Sequence, residues 1–331
     1  MFEQAKKLIE DAKTIMVIQA ENPDGDSLGS SLALEAILSD LGKKVSLYCD
    51  VEMPKYLRYF AGWDRVTQNF DTNADLAIIV DTTSDTLIGK ALQIPGGRHF
   101  LETTPVLVID HHSETAPTLS FDHTLLIEDA ASSTQVIYKL AELSEWKIDA
   151  DAAEHLLGGL LSDTLGLSTQ SVNEAVYLTA SKLSARGAVP SAIEERRREF
   201  MKKPAEILAY KGQLLSRIEY FLDGKLALIH IPWEEIQQYS DRYNPSVLVL
   251  DEMRLVEGVE IGVAIKTYPD GKATGKLRAN LPIAEQIAGY FGGGGHVYAS
   301  GFRVYEEYDK IVSELVTATD KALKEYDSKT S

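Results

Sequence analysis

Five acidic residues and two histidines stand where apolar runs of the chain stop. The run TIMVI leads into ENPDGDSLGS, which carries Asp24 and Asp26; LAIIV ends at Asp81; VLVI ends at Asp110, His111 and His112. Asp163 closes a further apolar stretch, GLLSDTLGLST. Carboxylates gathered together repel one another and are costly to bury unpaired, so a cation is expected among them. No Lys or Arg lies in these segments, which makes a divalent metal the simpler counter-ion. Carboxylate and imidazole together favour Mn²⁺, with Mg²⁺, Co²⁺ or Fe²⁺ as alternatives. Two such ions about 3.5–4 Å apart clamp a phosphate and activate water, given one carboxylate that reaches both. Asp81, central among the strands, suits that bridging role. His111 and His112 alternate in direction, so one is a candidate ligand and the other an orienter or phosphate contact. An Asp after a strand also commonly caps a helix, and Asp26 could cap one beginning near Ser27.

The elements that would position these groups can be read from the pattern. Thr14–Ile18, Val45–Tyr48, Leu76–Val80 and Val106–Ile109 are nearly continuous apolar runs rich in β-branched residues, as in a parallel sheet buried on both faces. Helical spacing over Ser27–Leu41, Ser133–Glu145, Asp151–Leu161 and Asn173–Arg186 alternates with them. An α/β sheet follows, and ligands of open α/β sheets bind beyond the carboxyl ends of the strands. The pair Gly158–Gly159 would allow a close helix approach beside Asp163.

A charged, helical passage over 187–212 follows, in which Arg196, Arg197 and Arg198 are balanced by Glu194, Glu195 and Glu199 as a solvated face. The second half reads differently. Lys225–Ile231 looks like a strand, and Val259–Thr267 and Lys272–Arg278 flank the turn signal Pro269-Asp270-Gly271 as a hairpin. Pro245–Val256 reads as either strand or helix; Ile283–Tyr290 and Asp309–Tyr326 read as helices. Gly292, Gly293, Gly294 and Gly295 precede His296 and a strand-like SGFRVY. Consecutive glycines can turn backbone N–H groups towards an anion, so a ligand-facing loop is expected, with His296 and Arg278 as further donors. Lys276 shares the face of Arg278 by strand alternation.

The chain has 331 residues, enough for two domains, and a hydrophobic content of 44% that suits a soluble globular protein. Its 33 basic and 50 acidic residues give a net charge of −17, which argues against grip on long duplex nucleic acid by a broad basic face. The single cysteine excludes an intramolecular disulfide framework and a thiolate zinc cluster. With no long apolar run and a charged N-terminus, a cytoplasmic protein is expected, without a membrane span.

Taken in order, NPDGDSLGS, VDTTSDT, IDHHSE, GLLSDTLG, KLRAN and GGGGHVYASGF resemble the motifs of the DHH phosphoesterase superfamily. The likeness is greatest to its two-domain, NrnA-like branch of oligoribonucleases that also act as pAp phosphatases. The resemblance implies a parallel-sheet DHH domain (1–186), a helical linker (187–212) and a smaller DHH-associated α/β domain (213–331), with the active site in the cleft between the two domains. It implies Asp24, Asp26, Asp81, His111 and Asp163 as metal ligands, Asp81 bridging, and His112 near the scissile phosphate. Arg278, the glycine run and His296 would hold the substrate. Short single-stranded RNA or a small nucleotide is the implied substrate. Cyclic dinucleotides such as c-di-AMP, or their linear product pApA, are an alternative, as is a nucleotide-binding protein with a decayed metal site. A homodimer stays open. The chain departs from the family where a histidine usually stands four residues before Asp24: here it is Ala20, which cannot ligate. The serines that usually flank Leu277-Arg278 are Lys276 and Ala279.

Overall fold

The computed structural model describes residues 1–113, 116–239 and 243–330. Glu114 of the IDHHSE segment lies outside them. The chain divides into two compact units, Met1–Lys202 and Lys203–Ser331.

The first unit is built on a six-stranded sheet: β1 (Thr14–Ile18), β2 (Lys44–Tyr48), β3 (Val66–Thr67), β4 (Leu76–Val80), β5 (Val106–Asp110) and β6 (Thr124–Ile127). The order is β3-β2-β1-β4-β5-β6, and every neighbouring pair is parallel. All five residues of β4 and of β5 are buried, because helices cover both faces of a parallel sheet. One face packs its Val17, Ile78, Val80, Leu107 and Ile109 against helices Phe2–Asp11, Gly25–Asp40, Ser133–Leu143 and Ala150–Asp163. The other packs Met16, Ile18, Ala77, Ile79 and Val108 under helix Gly97–Thr103, with Phe100 and Leu101. The strand order reverses direction between β1 and β4, so a crevice is expected at their carboxyl ends.

Helix Gly25–Asp40 crosses helix Ala150–Asp163 at glycines. A Cβ on Gly29 would lie 2.7 Å from the His155 carbonyl oxygen, and one on Gly159 would lie 2.5 Å from Thr134 Cγ2. The close packing expected of the Gly158–Gly159 pair thus centres on Gly159, which brings the helix ends carrying Asp26 and Asp163 together.

The passage 187–212 forms two helices that part company. Helix Pro190–Phe200 lies in the first unit, buries Ile193 in its core and ties Arg196 to Glu154 at 2.5 Å. Arg197 and Arg198 both pair with Glu194. Helix Ala205–Leu215 lies in the second unit.

The second unit carries its own six-stranded sheet: β7 (Glu219–Phe221), β8 (Leu226–Ile231), β9 (Ile261–Thr267), β10 (Ala273–Ala279), β11 (Gly294–His296) and β12 (Ala299–Val304), ordered β11-β12-β10-β9-β8-β7. Only β8 and β9 run parallel; the other neighbours are antiparallel. The β9–β10 hairpin turns at Gly271, whose φ of 78° suits glycine. Helices Ala284–Tyr290 and Tyr308–Thr330 cover one face, burying Ile287, Ile311 and Leu315. On the other face, helices Ala205–Leu215, Trp233–Tyr239 and Pro245–Met253 lie over β8 and β9. Pro245–Met253 settles the ambiguous segment as a helix: Asn244 caps it through the Ser246 N–H, and Pro245 occupies the first turn, where its missing donor costs nothing.

Candidate metal centre

Each acid of the first unit owes its place to a strand end or a helix end. Asp24 follows β1 and is the N-cap of helix Gly25–Asp40: its Oδ1 accepts from the N–H groups of Asp26 (3.0 Å) and Ser27 (2.9 Å), and Ser27 Oγ accepts from the Asp24 N–H. The cap is therefore Asp24 and not Asp26, because the helix starts two residues earlier than its apolar pattern suggests. Freed from capping, Asp26 turns inward and is 1% exposed. Its Oδ2 accepts from the Ser133 N–H at 2.5 Å, and its Oδ1 accepts from the Thr134 N–H (3.0 Å) and hydroxyl (2.8 Å). Asp26 thus docks on the N-terminus of helix Ser133–Leu143, where partial positive charge favours a carboxylate.

Asp81 stands directly after β4 with φ 61°, a left-handed conformation that costs a non-glycine residue about 1–3 kcal/mol and concentrates at functional sites. Its N–H donates to the Ile109 carbonyl and its Oδ1 accepts from Ser133 Oγ (2.9 Å). From β5, His111 places Nε2 3.7 Å from Asp81 Oδ1 and 3.4 Å from Asp163 Oδ2. His111 Nδ1 lies 3.1 Å from the Ala130 carbonyl oxygen. A proton on Nδ1 satisfies that carbonyl and leaves the Nε2 lone pair facing the acids, the arrangement of a metal-ligating histidine. His112 turns the other way: its Nδ1 bonds Asp110 Oδ1 at 2.7 Å. The second oxygen of Asp110, a residue with no exposed surface, has no hydrogen-bond partner among the described residues.

Two sets of ligand atoms lie within 4.8 Å of one another: Asp81, Asp110, His111 and His112 in one, and Asp26, His111 and Asp163 in the other, with His111 common to both. Asp24 is exposed and belongs to neither set, although its charge is felt by Asp26, Asp81 and Asp163. Burial, followed by the charges of Asp26 and Asp24, pushes Asp81 well above the usual carboxylate range. Burial also raises Asp26, and burial with the Asp26 charge raises Asp163 to about 6. Burial alone would raise Asp110 too, but its hydrogen bond and charge contact with His112 bring it below its ordinary value. The same bond raises His112. Buried acids that destabilise one another in this way call for positive charge, and the oxygen-plus-imidazole donor set suits a hard or borderline divalent cation.

Three supporting groups were not singled out by sequence reasoning: Ser133, Thr134 and the Ala130 carbonyl. The run Ser132-Ser133-Thr134, with Ser132 capping the helix through the Gln135 N–H, was the available signal. Around Ala20, Glu21 is engaged elsewhere, accepting from the Lys90 N–H at 2.6 Å. Gln19 is 2% exposed, and both its amide atoms lack hydrogen-bond partners among the described residues.

In the second unit, Arg278 and His296 stand on β10 and β11. The glycine run is not a free loop: Gly292 turns the chain at φ 70°, and Gly294–His296 forms an edge strand beside β12. A Cβ on Gly293 would meet the Gly301 carbonyl oxygen at 2.2 Å, so part of the run is demanded by strand packing.

Known proteins bear on this geometry. Residues 14–161 match the DHH family, N-terminal domain. The chain is 27% identical over 286 residues to the bifunctional oligoribonuclease and PAP phosphatase NrnA of Thermus thermophilus, covering 85% of this chain and 81% of that protein. It is 22% identical over 310 residues to the Bacillus subtilis protein of the same description, covering 92% and 94%. The crystal structure of an exopolyphosphatase-related protein from Bacteroides fragilis superposes with a TM-score of 0.83 at 22% identity, over 98% of this chain and 96% of that one, which shows the fold. With its acids and histidines gathered at the ends of β1, β4 and β5, the part of the chain over residues 14–161 is similar to the DHH family's N-terminal domain.

Proposed function

We propose that the protein is a divalent-metal-dependent phosphoesterase, with Mn²⁺ as the resident ion, that hydrolyses short oligoribonucleotides and adenosine 3′,5′-bisphosphate (pAp). The observation that carries this reading is the gathering of Asp26, Asp81 and Asp163 about His111, with burial and then neighbouring carboxylates raising all three carboxyls. Relatives described as oligoribonuclease and PAP phosphatase supply the substrate class.

Asp24, Asp26, Asp81, His111 and Asp163 would hold the ions. Bound there, divalent ions supply Lewis-acid neutralisation of a phosphate and lower the pKa of water. The remaining work falls to the chain. Ser133 fixes the Asp81 carboxylate through its hydroxyl, and the Ala130 carbonyl fixes the His111 tautomer. His112, anchored to Asp110 through Nδ1, keeps Nε2 available to exchange a proton with the phosphate or the departing oxygen. Arg278, the N–H groups of the Gly292–Gly295 segment and His296 would grip the non-reacting end of the substrate.

The test is hydrolysis of a diribonucleotide and of pAp by the wild type and Asp81→Ala, with Mn²⁺, Mg²⁺, Co²⁺ and Fe²⁺ in parallel. Turnover is expected to be highest with Mn²⁺ and to vanish in Asp81→Ala. Near-normal hydrolysis of both substrates by that variant would defeat the proposal.

A further inference from the structure

One face of the second unit's sheet carries a row of cations, exposed at Lys276 and buried at Lys266, with which no carboxylate among the described residues pairs. Across the β9–β10 ladder, Lys266 stands opposite Thr274, Ala264 opposite Lys276 and Gly262 opposite Arg278. On the other side of β10, Arg303, Gly301 and Ala299 oppose the same three residues, and His296 opposes Ala299. Residues paired in an antiparallel ladder project from one face, so Lys266, Lys276, Arg278, Arg303 and His296 share a face. The alternate residues Leu277, Ala279 and Phe302 go to the core on the other side. Helix Pro245–Met253 reaches across this face as far as Gly262, where a Cβ would lie 3.2 Å from Met253 Cβ. Beside Lys276 and Arg278 the β12 residues are small, Gly301 and Ala299, whereas Ala264 on the β9 side is buried under the helices.

Some cations elsewhere in this unit have acidic partners, as in Lys211–Glu252 and Arg217–Glu235. On this face, among the described residues, the charges that bear on the lysines are other cations. Lys266 is 9% exposed and its Nζ donates to Asn244 Oδ1 at 2.7 Å. Burial, and then Lys276, brings Lys266 down to about 8; burial, and then Arg278, lowers Lys276. Arg278 donates to its neighbour's carbonyl, Leu277 O, at 3.0 Å. A chain with 50 acids and 33 bases has carboxylates to spare. A buried ammonium held by one amide oxygen, with the cation Lys276 beside it, would be stabilised by an anion from outside.

The row is too long for one phosphate. From Arg278 to the Lys266–Thr274 pair it spans four residues of β10, about 14 Å. Arg278 and His296 suffice for one phosphate group, and Lys276 and Lys266 continue along the strands beyond it. We propose that Lys266 and Lys276 form a second phosphate subsite beside Arg278, so that this face takes an oligonucleotide carrying at least two successive phosphates. The substrate class rests on the phosphoesterase reading above; the binding itself needs no turnover.

The test is equilibrium binding to the full chain, by calorimetry in the absence of divalent ions, of 5′-phosphorylated tri-adenylate and of AMP, which offers a single phosphate. Lys276→Ser, at an exposed position, and Lys266→Met, which keeps the buried volume, are compared with the wild type. Each is expected to weaken tri-adenylate binding about tenfold and to flatten its log-affinity against log-salt slope by about 0.7, with AMP affinity changed less than about twofold. Unchanged tri-adenylate affinity in a folded Lys276→Ser, or equal weakening for both ligands, overturns the second subsite and leaves the phosphoesterase reading standing. Should Lys266→Met fail to fold, Lys276→Ser decides alone. A wild-type protein that binds neither ligand and hydrolyses no oligonucleotide sinks both.

Discussion

Gly159→Ala tests whether the crossing of two helices sets the acidic centre. The added Cβ would sit 2.5 Å from Thr134 Cγ2, 3.0 Å from Thr134 Oγ1 and 3.1 Å from Asp26 Oδ1. Ordinary contact begins at 3.4 Å, so Thr134 must retreat by about 0.9 Å, the difference between 3.4 and 2.5 Å. Its hydroxyl now reaches Asp26 at 2.8 Å, and a retreat of that size breaks the bond. Overpacking of this kind costs about 1–3 kcal/mol, offset by about 1 kcal/mol because alanine favours a helix interior more than glycine. The net destabilisation is therefore modest, up to about 2 kcal/mol. The functional cost is larger: a misplacement near 1 Å in a reacting site can lower turnover about 100-fold. Urea unfolding and Mn²⁺-dependent hydrolysis of a diribonucleotide, measured side by side, read both numbers. Gly212→Ala is the control, because nothing lies within 4 Å of its added Cβ. Wild-type turnover and metal affinity in Gly159→Ala would refute the claim that this contact positions Asp26.

Two further outcomes are expected. Ala20→His should restore the ligand type usual at that position and tighten Mn²⁺ binding about tenfold or more by calorimetry; unchanged affinity would count against placing residue 20 at the centre. His155, 4% exposed, is held down to about 4 by burial, against an ordinary 6.5. A depressed folded-state value means full stability above pH 6.5, with loss as the pH falls from 6.5 towards 4. The wild type should lose about 2 kcal/mol more than His155→Gln between pH 7.5 and pH 5 in urea unfolding, and parallel curves would remove His155 from the account.

How much of this was legible depended on the length and burial of each element. β1, β2, β4 and β5 are five-residue strands, and β4 and β5 are apolar enough at nearly every position to be read directly. β3 has two residues, and β6 reads TLLI beside a loop, so neither carries a period long enough to see. The acids at the strand ends were visible because residue type and position coincide there. Which acid caps the helix was not, since Asp24 and Asp26 both precede an apolar run and only the backbone decides. Ser133 and Thr134 stayed hidden because their partners are distant in sequence: the Ser133–Asp26 contact spans 107 positions and Ser133–Asp81 spans 52. The glycine run was legible as special, but its role as an edge strand depends on β12 alongside it.

The span between Asp26 and Ser133 has a consequence for how the protein comes into being. Every strand of the first sheet pairs in parallel, so each must wait for a crossover to close before it meets its neighbour. The carboxylates are delivered by different crossovers, and a partly assembled chain carries them far apart. A site built from residues so far apart in sequence is complete only once those crossovers have closed.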